Sequence, residues 1–164
     1  MINCTFENGG KANLRHVTVN ALVIKDNKIL LDKRGTFKGK PILETDKWAL
    51  LGGFFGRDEI LEEAVKREVM EESGYEIENL ILFRINDNPN RPKEDRQNVD
   101  IIFIAHAKDK IKEGDEEVTS LQWFDLDNTP PMDQIAFDHG EHIEFYKKYL
   151  KSKFQLPLIG KIKI

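Results

Sequence analysis

The chain has 164 residues, 40% apolar and 33% charged, with a formal net charge of −4, the make-up of one domain able to bury a core without disulfides. That balance argues against a general nucleic-acid binder, and the single cysteine, Cys4, excludes an intrachain disulfide and a cysteine-based zinc site. The start lacks the pattern of a secretory signal and no segment approaches the length of a membrane span, so the expected location is the cytoplasm.

Residues 1–15 are polar and turn-rich around Gly9-Gly10 and read as an N-terminal arm, a short strand at most. Val17 to Ile24 is β-branched and apolar enough for a buried strand. Lys25-Asp26-Asn27 then turns the chain into a second strand over Lys28 to Leu31. Gly35 to Asp46 reads as a loop, and Trp48 to Leu51 as a short apolar stretch. Ile60 to Ser73 is the clearest helix, with acidic Asp58 and Glu59 at its start and Gly74 at its stop. Strands are expected at Leu80 to Ile85, Val99 to Ala107 and Thr119 to Phe124, with loops at Asn86 to Gln97 and Asp127 to Asp133. Glu141 to Tyr149 reads as a second helix. The apolar tail, part of residues 151–164, leaves two alternatives open: a contact in a homodimer, or cover for the protein's own sheet. Strands mixed with two helices and no linker imply a single α/β or α+β domain over residues 1–164.

Helix geometry makes Ile60–Ser73 anomalous. At about 100° per residue, Leu61, Ala64 and Val65 form an apolar stripe, and Glu68, Glu71 and Glu72 fall on that same side. Glu62, Glu63 and Lys66 point elsewhere. Like charges three and four residues apart repel by a few tenths of a kcal/mol per pair, about 0.2–0.5. A hard divalent cation such as magnesium would compensate; the plain alternative is an acid-rich helix end in water.

The surrounding residues decide between the two. The segment GFFGRDEILEEAVKREVMEESGY (residues 53–75) fits Gly-x5-Glu-x7-Arg-Glu-U-x-Glu-Glu-x-Gly-U, where U is bulky and apolar. Gly53, Glu59, Arg67, Glu68, Val69, Glu71, Glu72 and Gly74 hold their places, and the segment resembles the Nudix box. Tyr75 departs from the usual Ile, Leu or Val, and Leu51 stands where members often have Pro.

The resemblance implies an α/β fold of Nudix type, an α/β/α sandwich with a mixed sheet and a loop–helix–loop catalytic motif. It implies a pyrophosphohydrolase using magnesium, with manganese as an alternative. Glu68, Glu71 and Glu72 would bind the metal with the carbonyl of Gly52, and Glu59 and Arg67 would pair to hold the box loop against the helix. The general base stays open between Glu68 and Glu117, since Glu117-x5-Trp123 resembles the family's acidic residue ahead of a Trp-bearing strand.

For the substrate, residues 87–92 and Ala136-Phe137-Asp138-His139 resemble segments of ADP-ribose pyrophosphatase-like members. They favour ADP-ribose or a similar sugar nucleotide; a nucleoside triphosphate is the alternative. Arg34, Arg91 and Arg96 are candidates to meet phosphate or ribose, and Trp48 and Phe54 to stack a base. Against each stands a plain reading, solvent for the arginines and core for the aromatics. His139 and His142 stand three apart without a third metal ligand in view. A nucleotide-sensing module without catalysis is the rival class. The intact box and the roughly fifteen residues after the last helix, too few for a DNA-binding domain, weigh against it.

Overall fold

The computed structural model describes residues 2–91, 98–115 and 118–160. In chain order its strands are β1 (Ile2–Thr5), β2 (Lys11–Leu14), β3 (Val17–Lys25), β4 (Lys28–Arg34), β5 (Thr36–Phe37), β6 (Lys40–Pro41), β7 (Trp48–Ala49) and β8 (Leu51–Phe54). Helix α1 (Leu61–Ser73) follows, then β9 (Tyr75–Asn86), β10 (Val99–Lys110), β11 (Val118–Asp125), α2 (His139–Lys151) and β12 (Leu158–Ile159).

One mixed sheet runs β11-β4-β3-β10-β9-β12. β3 and β10 are parallel, whereas β3 and β4, β4 and β11, and β9 and β10 are antiparallel. β3 therefore has β10 on one edge. Its other edge is shared, with Val23 to Lys25 pairing β4 and Thr18 to Ala21 pairing β8. Alternation along β3 sorts the two faces. Val19, Ala21 and Val23 pack with Leu30, Phe103 and α1 residues Ala64, Val65 and Val69. Leu22 and Ile24 pack with Ile29, Leu31, Phe83, Ile102 and α2 residues Ile143, Phe145 and Tyr146. The expected α/β/α sandwich with a mixed sheet is what forms.

Several boundaries differ from the sequence reading. The N-terminal arm is a hairpin, with Ile2 opposite Leu14 and Cys4 opposite Ala12. A small hairpin, β5 with β6, interrupts the loop after Arg34. β9 begins at Tyr75 rather than Leu80, because Tyr75 and Ile77 alternate with Glu76 and Glu78 and turn their apolar side chains toward α1. In the tail, Leu158–Ile159 pairs parallel to β9 and Leu158 joins the α2-side core, so this part covers the protein's own sheet. Among the described residues no helix is long and apolar enough to cross a membrane.

Candidate active site

Helix α1 starts where the Glu63 carboxylate accepts the Ile60 N–H at 3.0 Å, which satisfies a donor the helix leaves free. Its core stripe runs Ala64, Val65, Val69 and Ser73. Val69, rather than Glu68, thus continues the apolar stripe, and the carboxylates flank it instead of replacing it.

Each box carboxylate has a defined partner. Glu72 accepts the Gly52 N–H at 2.7 Å. Glu68 and Glu71 accept Arg67 Nη1 at 2.8 and 3.0 Å. The same guanidinium donates to both oxygens of Glu59, at 3.0 and 2.8 Å, and to the carbonyl of Phe54 at 3.1 Å. Glu59 also accepts the Gly56 N–H at 2.6 Å. Arg67 therefore ties the box loop to the helix and spreads its charge over three carboxylates. Its hydrogen bonds hold Glu59 below the usual carboxylate range.

Burial pushes Glu68 upward against the opposing charge of Arg67. Glu72 is raised well above the ordinary value by burial and then by Asp32. Asp32, on β4, is 3% exposed and burial pushes it up to about 7. Among the described residues nothing hydrogen-bonds its Oδ1. The sequence reading missed this acid; its signal is a carboxylate directly after the buried run Ile29-Leu30-Leu31.

The two glycines of β8 let the carboxylates approach. Gly52 has φ +152°, and a Cβ there would collide with the carbonyl of Val19, so no side chain is tolerated. At Gly53 a Cβ would sit 2.6 Å from Oε2 of Glu68. Among the described residues no three acidic or imidazole groups already stand at cation-binding separations. The donor set nevertheless fits a hard divalent cation: three carboxylates from adjacent turns beside a strand that offers no side chain to obstruct them.

These groups open on a cleft of about 580 Å³, a volume typical of small-molecule sites. Arg34, Phe54 and Arg91 line it. Arg34 donates Nε to the carbonyl of Leu43 at 2.8 Å and lies 5.1 Å over the Phe137 ring. Phe54 is 46% exposed and packs on His16. Trp48 is not a cleft residue: it packs edge-on against Phe124 at 4.9 Å within the α2-side core. Arg96 and Glu117 lie outside the described residues.

Arg91, a candidate to meet phosphate or ribose with solvent as the plain alternative, sits in a buried charged cluster at the cleft. It is buried, and its guanidinium meets Asp138 through Nε at 3.0 Å and Nη2 at 2.7 Å, with Asp100 3.5 Å away. The two segments singled out in the sequence are thus joined at Arg91 and Asp138. Burial favours the neutral form of Asp138, but the cations beside it outweigh that and hold it well below the usual range. His142 is sealed in the same cluster, its Nδ1 2.9 Å from Arg84. His139 Nδ1 accepts the Leu50 N–H at 3.1 Å, and burial pushes its imidazole down to about 3. Neither histidine belongs to a metal cluster among the described residues.

The NUDIX domain model matches residues 14–148. The chain belongs to the Nudix family. It is 36% identical over 136 residues to an ADP-ribose pyrophosphatase of Methanocaldococcus jannaschii, covering 81% of this chain and 73% of that protein. It is 31% identical over 115 residues to the NAD-capped RNA hydrolase NudC of Vibrio atlanticus, 70% of this chain but only 39% of that one. A crystal structure of a NUDIX hydrolase from Nitrosomonas europaea superposes with a TM-score of 0.70 at 25% identity, covering 90% of this chain and 80% of that one. This Nudix hydrolase belongs to enzymes that generally need a divalent metal.

Proposed function

We propose that this Nudix hydrolase cleaves the diphosphate of ADP-ribose or a similar sugar nucleotide, using magnesium, with manganese as an alternative. The observation that carries the reading is one cleft shared by the box carboxylates and by the joined segments around Arg91 and Asp138. The 36% identity to an ADP-ribose pyrophosphatase supports the same substrate. Glu68, Glu71 and Glu72, with the backbone of Gly52, would hold the cation. When bound, the cation supplies charge neutralisation and Lewis acidity at the diphosphate.

The chain's own groups do the rest. Arg67 and Glu59 fix the loop that carries Gly53 and Phe54, so the carboxylates keep their places. Glu68, its hold on a proton strengthened by burial, is the candidate among the described residues that would accept a proton from attacking water, with Glu117 as the alternative. Arg34 and Phe54 line the cleft where the nucleotide's phosphate and base would lie.

Chromatography of products from ADP-ribose, NADH, diadenosine polyphosphates and dNTPs, each with magnesium, tests the reading. The highest kcat/KM is expected for ADP-ribose. A higher value for dNTPs would favour a triphosphate pyrophosphohydrolase, and no turnover at all would favour a nucleotide-sensing module.

A further inference from the structure

The last turn of α1 carries Glu71 and Glu72, and its final carbonyls need partners from outside the helix. Met70 finds one at once: its carbonyl accepts the N–H of Gly74, whose φ of +74° turns the chain out of the helix. Two further carbonyls, one in this turn and one at its cap, are met from the loop between β10 and β11. Asp115 donates its N–H to the carbonyl of Glu71 at 2.9 Å, and Ile111 donates to that of Gly74 at 2.8 Å.

A glycine on each side lets the two segments close on each other. A Cβ at Gly114 would collide with the carbonyl of Glu72, and one at Gly74 with the carbonyl of Lys112. Both obstacles are backbone, which has no flexible end to swing aside. Gly114 does not share the positive φ of Gly74, so the close approach to Glu72 is what demands glycine there. Gly74 belongs to the box, whereas Gly114 lies well beyond it in the chain.

The seam falls on the residues that would hold the cation. Glu71 gives its carbonyl to Asp115 and its carboxylate to Arg67. Glu72 packs its carbonyl against Gly114 and accepts the Gly52 N–H with its carboxylate. Each is fixed from two directions, the backbone by the loop and the side chain by the box. Magnesium demands near-ideal placement of its oxygen ligands, and groups that orient such ligands weigh on affinity almost as the ligands do.

We propose that Gly114 is a positioning residue for the cation. By letting the β10–β11 loop close on the last turn of α1, it sets the backbone from which Glu71 and Glu72 reach the metal. This rests on the reading of Glu68, Glu71 and Glu72 as cation ligands. Gly114 itself touches neither metal nor substrate.

Manganese binding by the substrate-free protein tests this, read from the electron paramagnetic resonance signal of the unbound ion. Gly114→Ala is expected to weaken binding by roughly tenfold or more. Leu158→Ala is the control: Leu158 packs on the α2-side core, on the other face of the sheet from α1, so its loss lowers stability and should leave manganese affinity unchanged. Unchanged binding by Gly114→Ala, or an equal loss in both variants, would overturn the positioning role and leave the cation site in place. No manganese binding by the wild-type protein would overturn both.

Amide exchange in the wild-type protein gives a second reading that does not depend on the variant folding. If opening the seam releases the cation, exchange at Ile111 and Asp115 slows by about tenfold at about ten times the magnesium dissociation constant. The amide of Ser152, which donates to Lys148 at the end of α2, should slow less. No slowing at Ile111 and Asp115, or the same slowing at all three, would overturn the role.

Discussion

Asp32 brings a carboxylate into the packed layer between β4 and α1, beside Glu72. Two acids there share a poorly solvated space, and burial raises both. The folded carboxyl keeps its proton to about pH 7, whereas an unfolded aspartate releases it near 4 (about 3.9). The folded state therefore binds more protons across that window, and stability falls as pH rises through it. In chelator, Asp32→Asn should stabilise the protein relative to wild type. The gap should widen as pH rises from about 4 to 7. Urea unfolding at pH 5 and pH 8 checks this, and a gap that does not change with pH would contradict it.

Arg67 is the second decisive residue. Arg67→Lys keeps the charge but loses the fork that reaches Glu59, Glu68, Glu71 and the Phe54 carbonyl at once. Turnover should drop by roughly tenfold or more, with the melting temperature lowered by only a few degrees, on the order of 2–4. Unchanged turnover would remove the positioning role.

At this scale the sequence exposed the carboxylates of α1, because their spacing repeats with the helix. Asp32 was hidden: it stands at the end of an apolar run, and only tertiary contacts show what it faces. His139 was noticed beside His142, but its bond to the Leu50 amide, far away in the chain, was not legible. Tyr75, an oddity in the box, has a physical reason in the structure. Its hydroxyl lies 3.3 Å from Trp123 Nε1 and its ring packs edge-on against that indole.

Between elements, the link that matters is the one from the segment after β9 to the start of α2. Arg91 and Asp138 are both almost fully buried and bonded through two guanidinium nitrogens. Breaking such a pair leaves an uncompensated buried charge, so Asp138→Ala should cost about 3–5 kcal/mol, read from denaturant midpoints. A cost under about 1 kcal/mol, the range of exposed pairs, would show that the cluster is open to solvent. Neither partner announced the other in the sequence. Residues 87–92 look like a polar loop and Asp138 like a helix cap, yet Asp138 makes no side-chain cap bond and serves Arg91 instead. Long apolar runs such as those of β3 and β10 were legible because both of their faces are buried. The first hairpin was not: its residues are mostly exposed or half-covered, with Ile2 and Leu14 at 37% and 41% exposure, so no alternation marks them.

For the whole molecule, one arrangement connects fold to chemistry. β3 gives half of one edge to β8, and β8 carries Gly52 and Gly53 from the α1 layer to the cleft, with Leu50 and His139 next to them. The sequence identified the α1 side of this arrangement through its box. The α2 side, with Arg91 and His139, depends on residues far apart in the chain meeting in space.

Dependence of diphosphate cleavage on a divalent cation held by the box carboxylates is what the whole arrangement predicts. It is tested most directly by ADP-ribose hydrolysis followed over a magnesium titration, for the wild-type protein and Glu72→Gln with circular dichroism confirming the fold. The wild-type protein should release AMP and ribose 5-phosphate with saturable magnesium dependence and stop in chelator. The variant should lose roughly 100-fold or more. Equal rates with and without the metal, or near-normal turnover by the folded variant, would show that these carboxylates do not hold a catalytic cation.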